Sequence, residues 1–184
     1  MKTLQLFKIF GYIIIFSLII SCGCGKDIKI TVHNDDQRDF FKNIILYNGY
    51  NVKIIDEDNY IQIKNLTMDM LLEIRNVLFL KMDIINNNIN NVDTTRTENG
   101  GPYIRKYLKI TKENGIEIVE DEERNFRIVY DPTHPDAITV GQMEGYVKYP
   151  NIDIISEMVE LIQVNRFYDG ITEYLKNNYK NVIF

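Results

Sequence analysis

The chain has 184 residues and a formal net charge of −5 at pH 7, with a pI of about 5.1. That length fits one main domain with a small additional module. Hydrophobic residues at 45% and charged residues at 26% are ordinary for a folded soluble chain. An acidic chain without a basic stripe argues against nucleic-acid binding, so no nucleic-acid partner is expected.

The first two dozen residues have the pattern of a targeting segment. Lys2 and Lys8 flank a polar start, and the apolar run 9–20 follows. This run is shorter than the about 20 helical residues that span a bilayer, but it suits the core of a signal peptide. It ends in Ile19-Ile20-Ser21-Cys22-Gly23, which resembles the lipobox of bacterial lipoproteins.

The lipobox resemblance implies that residues 1–21 are a signal peptide and that Cys22 carries the acyl chains of a membrane anchor. The alternative is an uncleaved anchor that happens to contain Cys22. Cys24 is the second of two cysteines, so the mature fold would hold no internal disulfide. A metal or redox pair of Cys22 and Cys24 is a competing interpretation, which no further Cys supports.

Residues 22–65 are predicted to form a small β-α-β-β module. Residues 28–33 alternate apolar and polar side chains, as a half-buried strand does. A helix with apolar residues at helical spacing follows, and 52–54 and 60–63 supply two more strands. This order loosely resembles the ring-building modules of secretion and flagellar ring lipoproteins, and a generic spacer domain is the alternative.

Two long segments, 66–95 and 151–184, carry the apolar spacing of helices. The first is predicted to be helical over 66–92, and the second to begin after an N-cap at Asn151 or Asp153. Each has one seam suited to pairing as a coiled coil, with an ordinary two-helix core packed on a sheet as the alternative. The predicted seams are Leu71, Ile74, Leu78, Met82, Ile85, Ile89 and Val92 in the first helix, and Ile154, Met158, Leu161, Val164, Tyr168, Ile171 and Leu175 in the second.

The middle of the chain, 96–150, is predicted to be a small antiparallel β region. Asn114-Gly115 is a strong hairpin signal, and Asp131-Pro132-Thr133-His134-Pro135-Asp136 consists of turn residues. The predicted fold class is therefore α+β, with paired terminal helices around the β region and the extra module in front. Strands are expected over 103–111, 116–119, 126–130 and 145–149.

A metal or acid–base site for a periplasmic hydrolase is a different possibility, with Asp131, His134 and Asp136 as its residues. His33 is the only other histidine, whereas a zinc site normally needs more nitrogen or sulfur donors. No Gly-rich phosphate loop, nucleophile elbow or Cys–His pair is present in the sequence. The sequence predicts no enzyme, no cofactor, no metal and no small-molecule substrate.

Several blocks over about 70–176 resemble the flagellar rod, hook and related axial proteins. The block 82–94 resembles the helix end of these proteins, whose sequence pattern is Ser-Asn-Asn-Ile-Ala-Asn, followed by Asn and Thr. Composition bias remains the alternative for Asn86 and Asn90. The later blocks resemble the proximal-rod type in particular and occur in the same order, at 95–103, 129–137, 145–152 and 157–162, followed by Arg166 and Tyr168.

This resemblance implies a structural subunit of the bacterial flagellar basal-body rod, in the periplasm, which packs through its terminal helices against itself and other rod subunits. Its Asn amides are expected to cap the helix end and bond backbone groups, and Arg166 with Glu157 or Asp169 is a candidate inter-subunit ion pair. The subunit-packing residues that the resemblance carries over are Asn87, Asn88, Ile89, Asn91, Thr94, Glu157, Met158, Ile162, Arg166 and Tyr168.

The chain also departs from that family. About 65 residues precede the first family helix, and a lipoprotein signal implies the general secretory route instead of the flagellar export channel. Gly170 stands where the family has alanine, which costs about 1 kcal/mol of helix stability. The alternative function is therefore a lipid-anchored periplasmic accessory or ring-associated binding protein derived from the rod family.

Overall fold

The structure is a computed structural model that describes residues 28–31, 35–47, 53–57, 60–64, 67–111, 115–122 and 126–179. Residues 1–21, Cys22, Cys24 and His33 lie outside the described residues. Within the described part of the chain, no helix combines the length and the hydropathy that crossing a membrane requires.

The fold class is α+β, as predicted, with helices and small antiparallel sheets. In the described ranges β3 lies between β1 and β2, β4 pairs with β5, and β6 pairs with β7. The helices are α1 Asp35–Tyr47, α2 Met68–Asn90 and α3 Ile154–Asn178. The strands are β1 Ile28–Thr31, β2 Lys53–Glu57, β3 Tyr60–Lys64, β4 Lys106–Thr111, β5 Gly115–Glu120, β6 Arg127–Tyr130 and β7 Tyr146–Tyr149.

Side-chain caps fix where the two long helices begin. Thr67 Oγ1 accepts a hydrogen bond from the N–H of Met70 at 3.3 Å at the start of α2. Asp153, one of the two predicted N-caps, accepts from the N–H groups of Ile155 and Ser156 at the start of α3. Each cap satisfies backbone donors that the first turn of a helix leaves unpaired.

The end of α2 meets the start of α3 at Asn88 and Glu157, and Phe79 lies near Tyr168, so the two helices run antiparallel. They bury a common core with α1 and β4. Phe41 of α1 packs edge-on against Phe167 of α3, with ring centroids 4.6 Å apart. A core shared by several elements is closer to a helix pair packed on other elements than to a free-standing coiled coil. The buried core residues are Phe41, Ile44, Ile45, Met70, Leu71, Ile74, Val77, Leu78, Ile85, Ile110, Val164, Phe167, Ile171 and Leu175.

The seam of α3 differs from the predicted one at its start. Val164, Ile171 and Leu175 are buried as predicted, whereas Ile154 and Met158 are exposed. Glu157 takes the inward position because its carboxylate finds hydrogen-bond donors there. A polar contact thus replaces the first apolar layer of the seam.

Candidate assembly site

Asn88, one of the predicted packing residues, lies at the centre of a polar joint, a cluster of hydrogen-bonded residues that also contains Tyr103, Arg105, Lys106 and Glu157. Its side chain is only 1% exposed, and its Nδ2 donates to the carbonyl of Lys106 at 2.8 Å and to Glu157 Oε2 at 3.1 Å. Its Oδ1 accepts from the Lys106 N–H at 2.9 Å and from the Tyr103 hydroxyl at 3.0 Å. These four bonds use both donors and both lone pairs of the carboxamide.

Glu157 brings α3 into the same joint. Its carboxylate is buried, and Oε1 accepts from Arg105 Nε at 2.6 Å. Arg105 also approaches Asp121 at 3.6 Å, so its charge lies between two carboxylates. A buried ion pair with further hydrogen bonds is costly to break, since either partner left alone would be a buried, uncompensated charge.

Tyr103 completes the joint as a neutral donor. Burial raises the pKa of its hydroxyl, and the nearby charges of Glu120 and Glu157 raise that pKa further against the opposing effect of Arg105. The phenol therefore keeps its proton at physiological pH and can donate to Asn88 Oδ1.

Asn87, Asn91 and Thr94 shape the chain as it leaves α2. Asn91 is the C-cap residue, and its Nδ2 donates to the carbonyl of Asn87 at 2.8 Å. Its Oδ1 accepts from the Thr94 hydroxyl at 3.0 Å, and the Thr94 carbonyl accepts from the N–H of Tyr103 at 3.0 Å. The Asn91 amide thus bonds a backbone carbonyl at the end of α2, whereas the Asn88 amide bonds the backbone of Lys106.

The segment after α2 is braced against the turn between β6 and β7. The Thr95 hydroxyl donates to Asp136 Oδ2 at 2.7 Å, and Arg96 forms an ion pair with the same carboxylate. The hydrogen bond from Thr95 and the positive charge of Arg96 hold the pKa of Asp136 below its usual value. Arg127 adds a second link, with Nη2 at 3.2 Å from Asp93 Oδ1.

The side chains of Asp131 and His134 bond within their own turn. Asp131 Oδ1 accepts from the Thr133 hydroxyl at 2.8 Å, which lowers the pKa of Asp131. His134 Nδ1 accepts from the N–H of Asp136 at 3.0 Å. Over the described ranges, no group of three or more His, Cys, Asp and Glu residues could hold a metal ion.

The first half of α3 presents an apolar stripe to solvent, on the side of the helix away from Glu157 and Val164. Its side chains recur at positions i, i+1, i+4, i+5 and i+8, which lie on one helical face. Exposed fractions run from 40% to 71%. This α3 stripe consists of Ile154, Ile155, Met158, Val159 and Ile162.

The predicted packing residues thus divide between the interior and the surface. Asn88 and Glu157 lie in the joint, and Ile89 is half-buried against the core. Met158 and Ile162 belong to the α3 stripe, Arg166 is exposed, and the ring of Tyr168 lies 6.2 Å from that of Phe79.

Sequence reasoning missed Arg105, which is the partner of Glu157 inside the chain. In the candidate inter-subunit pair of Arg166 with Glu157, the acidic residue therefore already has Arg105 of its own chain as a partner. Tyr103 stood at the end of a resembling block, but its bond to Asn88 was not foreseen. The only signal for Arg105 in the sequence is its position two residues after the resembling block 95–103.

Comparison with known proteins gives a consistent family. A flagellar basal-body rod protein FlgC from Borreliella burgdorferi is 35% identical over 113 residues, covering 50% of this chain and 74% of the relative. The chain belongs to the FlgC family of rod proteins. The FlgC protein of Bacillus subtilis is 33% identical over 116 residues (50% and 75%), and that of Escherichia coli O6:H1 is 25% identical over 104 residues (52% and 75%).

The FlgC alignments cover about half of this chain and about three quarters of each of these two relatives. No protein-family model matches the chain. Membership of the FlgC family therefore rests on the relatives, and it agrees with the resemblance that the sequence blocks indicate.

Proposed function

We propose that this chain is a structural, non-catalytic subunit of the flagellar basal-body rod and that it assembles by helix–helix packing. The FlgC relatives, named as basal-body rod proteins, support the location and the association with other rod components. The observation that carries the packing mode is the α3 stripe, an exposed apolar helix face next to the buried joint.

An apolar helix face in water is unfavourable by about 25 cal/mol for each Å² that a partner could cover. Contiguous exposed apolar residues on a folded chain commonly mark protein–protein contacts. A stripe of this spacing fits the groove of a facing helix, as in other helix-in-groove contacts. When the neighbour uses a different surface for this contact, the contact repeats into an open filament, which is the form that a rod needs.

The packing mode is tested by placing charges on the α3 stripe. The double variant Met158→Asp/Ile162→Asp, produced in cells that lack the natural chain, should fold normally but be lost from purified basal bodies. Val140→Asp is the matched control, since Val140 is 80% exposed and lies outside α3. Equal recovery of both variants in basal bodies would contradict packing through the stripe.

The same fractionation addresses the accessory alternative. A rod subunit remains with the basal body when membranes are dissolved in detergent, whereas a tethered accessory moves to the soluble membrane fraction. Recovery of the natural chain only in that fraction would replace the rod proposal with the accessory.

We further propose that Cys22 anchors the chain in a membrane through acyl chains, on the strength of the sequence 19–23. The variant Cys22→Ser should lose incorporation of labelled palmitate, and Cys24→Ser should keep it. The reverse pattern, or labelling of both variants, would contradict lipidation at Cys22.

A further inference from the structure

A groove of about 1130 Å³ lies between α1, α2 and β4. Phe40 and Asn43 of α1 line one side, and Lys81, Ile84 and Asn88 of α2 line another. Consecutive residues of β4, from both of its faces, line the groove as well, which is the pattern of a strand edge turned towards it.

The pairing with β5 fixes which backbone groups of β4 face outward. Asp121 donates its N–H to the carbonyl of Arg105 at 2.8 Å, so position 105 bonds towards β5. In an antiparallel ladder the bonded positions alternate, so Tyr107 and Lys109 bond towards β5 as well. The N–H and C=O groups of Lys106, Leu108 and Ile110 therefore point away from β5.

Asn88 already occupies the first of these outward positions. Its carboxamide donates to the carbonyl of Lys106 and accepts from the N–H of the same residue, at 2.8 and 2.9 Å. A carboxamide has the same donor and acceptor as a peptide group, so Asn88 pairs with Lys106 as a neighbouring strand would.

The outward backbone groups at the next two such positions lack a hydrogen-bond partner among the described residues. Within the described part of the chain, Leu108 and Ile110 make no hydrogen bond away from β5. The charges around the groove are largely paired inside the chain, with Lys81 at 2.7 Å from Glu160 and Lys106 at 3.6 Å from Glu120. An occupant would therefore be recognised through its backbone more than through its charge.

We propose that an extended, uncharged segment of a neighbouring rod subunit enters this groove and adds to β4 as a strand at Leu108 and Ile110. Strand addition satisfies unpaired edge groups with main-chain hydrogen bonds and is a common mode of peptide recognition. Asn88 sets the end of the added strand, because the position beyond it is taken. The proposal rests on the proposed rod function.

The first test measures amide exchange in the full chain, kept in mild detergent. The N–H groups of Leu108 and Lys109 are adjacent in sequence but point in opposite directions. The Leu108 amide should exchange at least about tenfold faster, which corresponds to about 1.4 kcal/mol of protection. Equal protection of the two amides would show that the edge is closed and would overturn the proposal.

The second test fills the groove. Asn43 is exposed and lines the groove, and Asn76 is exposed on α2 outside it. Asn43→Trp should lower the amount of chain in basal bodies about tenfold or more, whereas Asn76→Trp should leave it unchanged. Equal incorporation of the two variants would overturn strand addition.

These outcomes separate the groove from the rod function itself. Normal incorporation of Asn43→Trp together with loss of the stripe variant Met158→Asp/Ile162→Asp would reject the groove and leave the rod proposal intact. Absence of the natural chain from basal bodies would reject both.

Discussion

Asn88 connects three segments that are distant in the sequence: the end of α2, the start of β4 and the start of α3. A longer or shorter polar side chain could not make its four bonds with the same geometry. Asn87, its neighbour, is exposed, and its side chain donates to the carbonyl of Asp83 in the same helix. Adjacent asparagines in one motif thus have very different environments.

That difference gives a prediction about stability. Asn88→Ala leaves the buried carboxylate of Glu157 and the Lys106 backbone short of partners, and should lower the free energy of unfolding by about 3 kcal/mol. Asn87→Ala should change it by less than about 0.5 kcal/mol. Urea denaturation of both variants measures these free energies, and similar losses of stability in the two would contradict a central role of Asn88 in the polar joint.

Glu157 and Arg105 give a second prediction. Glu157→Leu leaves the Arg105 guanidinium with only the more distant carboxylate of Asp121, at 3.6 Å, and should cost about 3 kcal/mol of unfolding free energy. Adding Arg105→Met removes the poorly compensated charge and should restore most of that loss. A double variant as unstable as the single one would show that the ion pair is not the source of the effect.

The contacts of Asp136 with Thr95 and Arg96 predict that the stability of the fold depends on pH. The pKa of this carboxyl is lower in the folded chain than its ordinary value of 3.8 in the unfolded chain. Its contacts therefore stabilise the fold above pH 3.8, and this stabilisation is lost as the pH falls through the lower folded pKa. Asp136→Asn should therefore be less stable than the natural chain at pH 7 and indistinguishable from it at low acid pH. A difference that persists in strong acid would contradict this assignment.

At the scale of elements, α2 holds its partners through one apolar face. Leu78 is fully buried in the core, whereas its neighbour Phe79 is 60% exposed. Leu78→Ala should cost about 2–5 kcal/mol of unfolding free energy, because it removes buried methyl groups and leaves a cavity. Phe79→Ala should cost much less, and thermal denaturation of the two variants checks the contrast.

Apolar periodicity predicted α2 within a few residues at each end, because a helix of this length repeats its buried face many times. The start of α3 could not be predicted in the same way. Ile154 and Met158 continue the apolar spacing, yet Glu157 turns inward because Arg105 lies there. No local pattern specifies a partner that comes from a segment 52 residues away.

The β region shows the same limit. Alternating side chains predicted β6, and a short strand was expected at 145–149, but the pairing of β6 with β7 depends on the turn segment 131–145. In that segment Asp131 donates its N–H to the carbonyl of Gly145, whose positive φ of 81° suits glycine. The lipidation of Cys22 stays a prediction, because it concerns residues outside the described part.

For the whole molecule, the polar joint at Asn88 and the contacts of Asp136 with Thr95 and Arg96 connect the β region to the helix pair. A neighbour that docks on the α3 stripe would therefore position β4, β5 and the groove at the same time, since Glu160 of α3 also borders that groove. Two surfaces with different chemistry, an apolar helix face and an open strand edge, are suited to successive contacts along a filament.

The most direct measurement of the central proposal is an electron cryo-microscopy map of basal bodies purified from cells that produce this chain. We expect the chain to be present in the rod, with Ile155, Met158 and Ile162 covered by a helix of a neighbouring subunit. A map in which the chain is present but those side chains face solvent, or in which the rod lacks the chain, would contradict it.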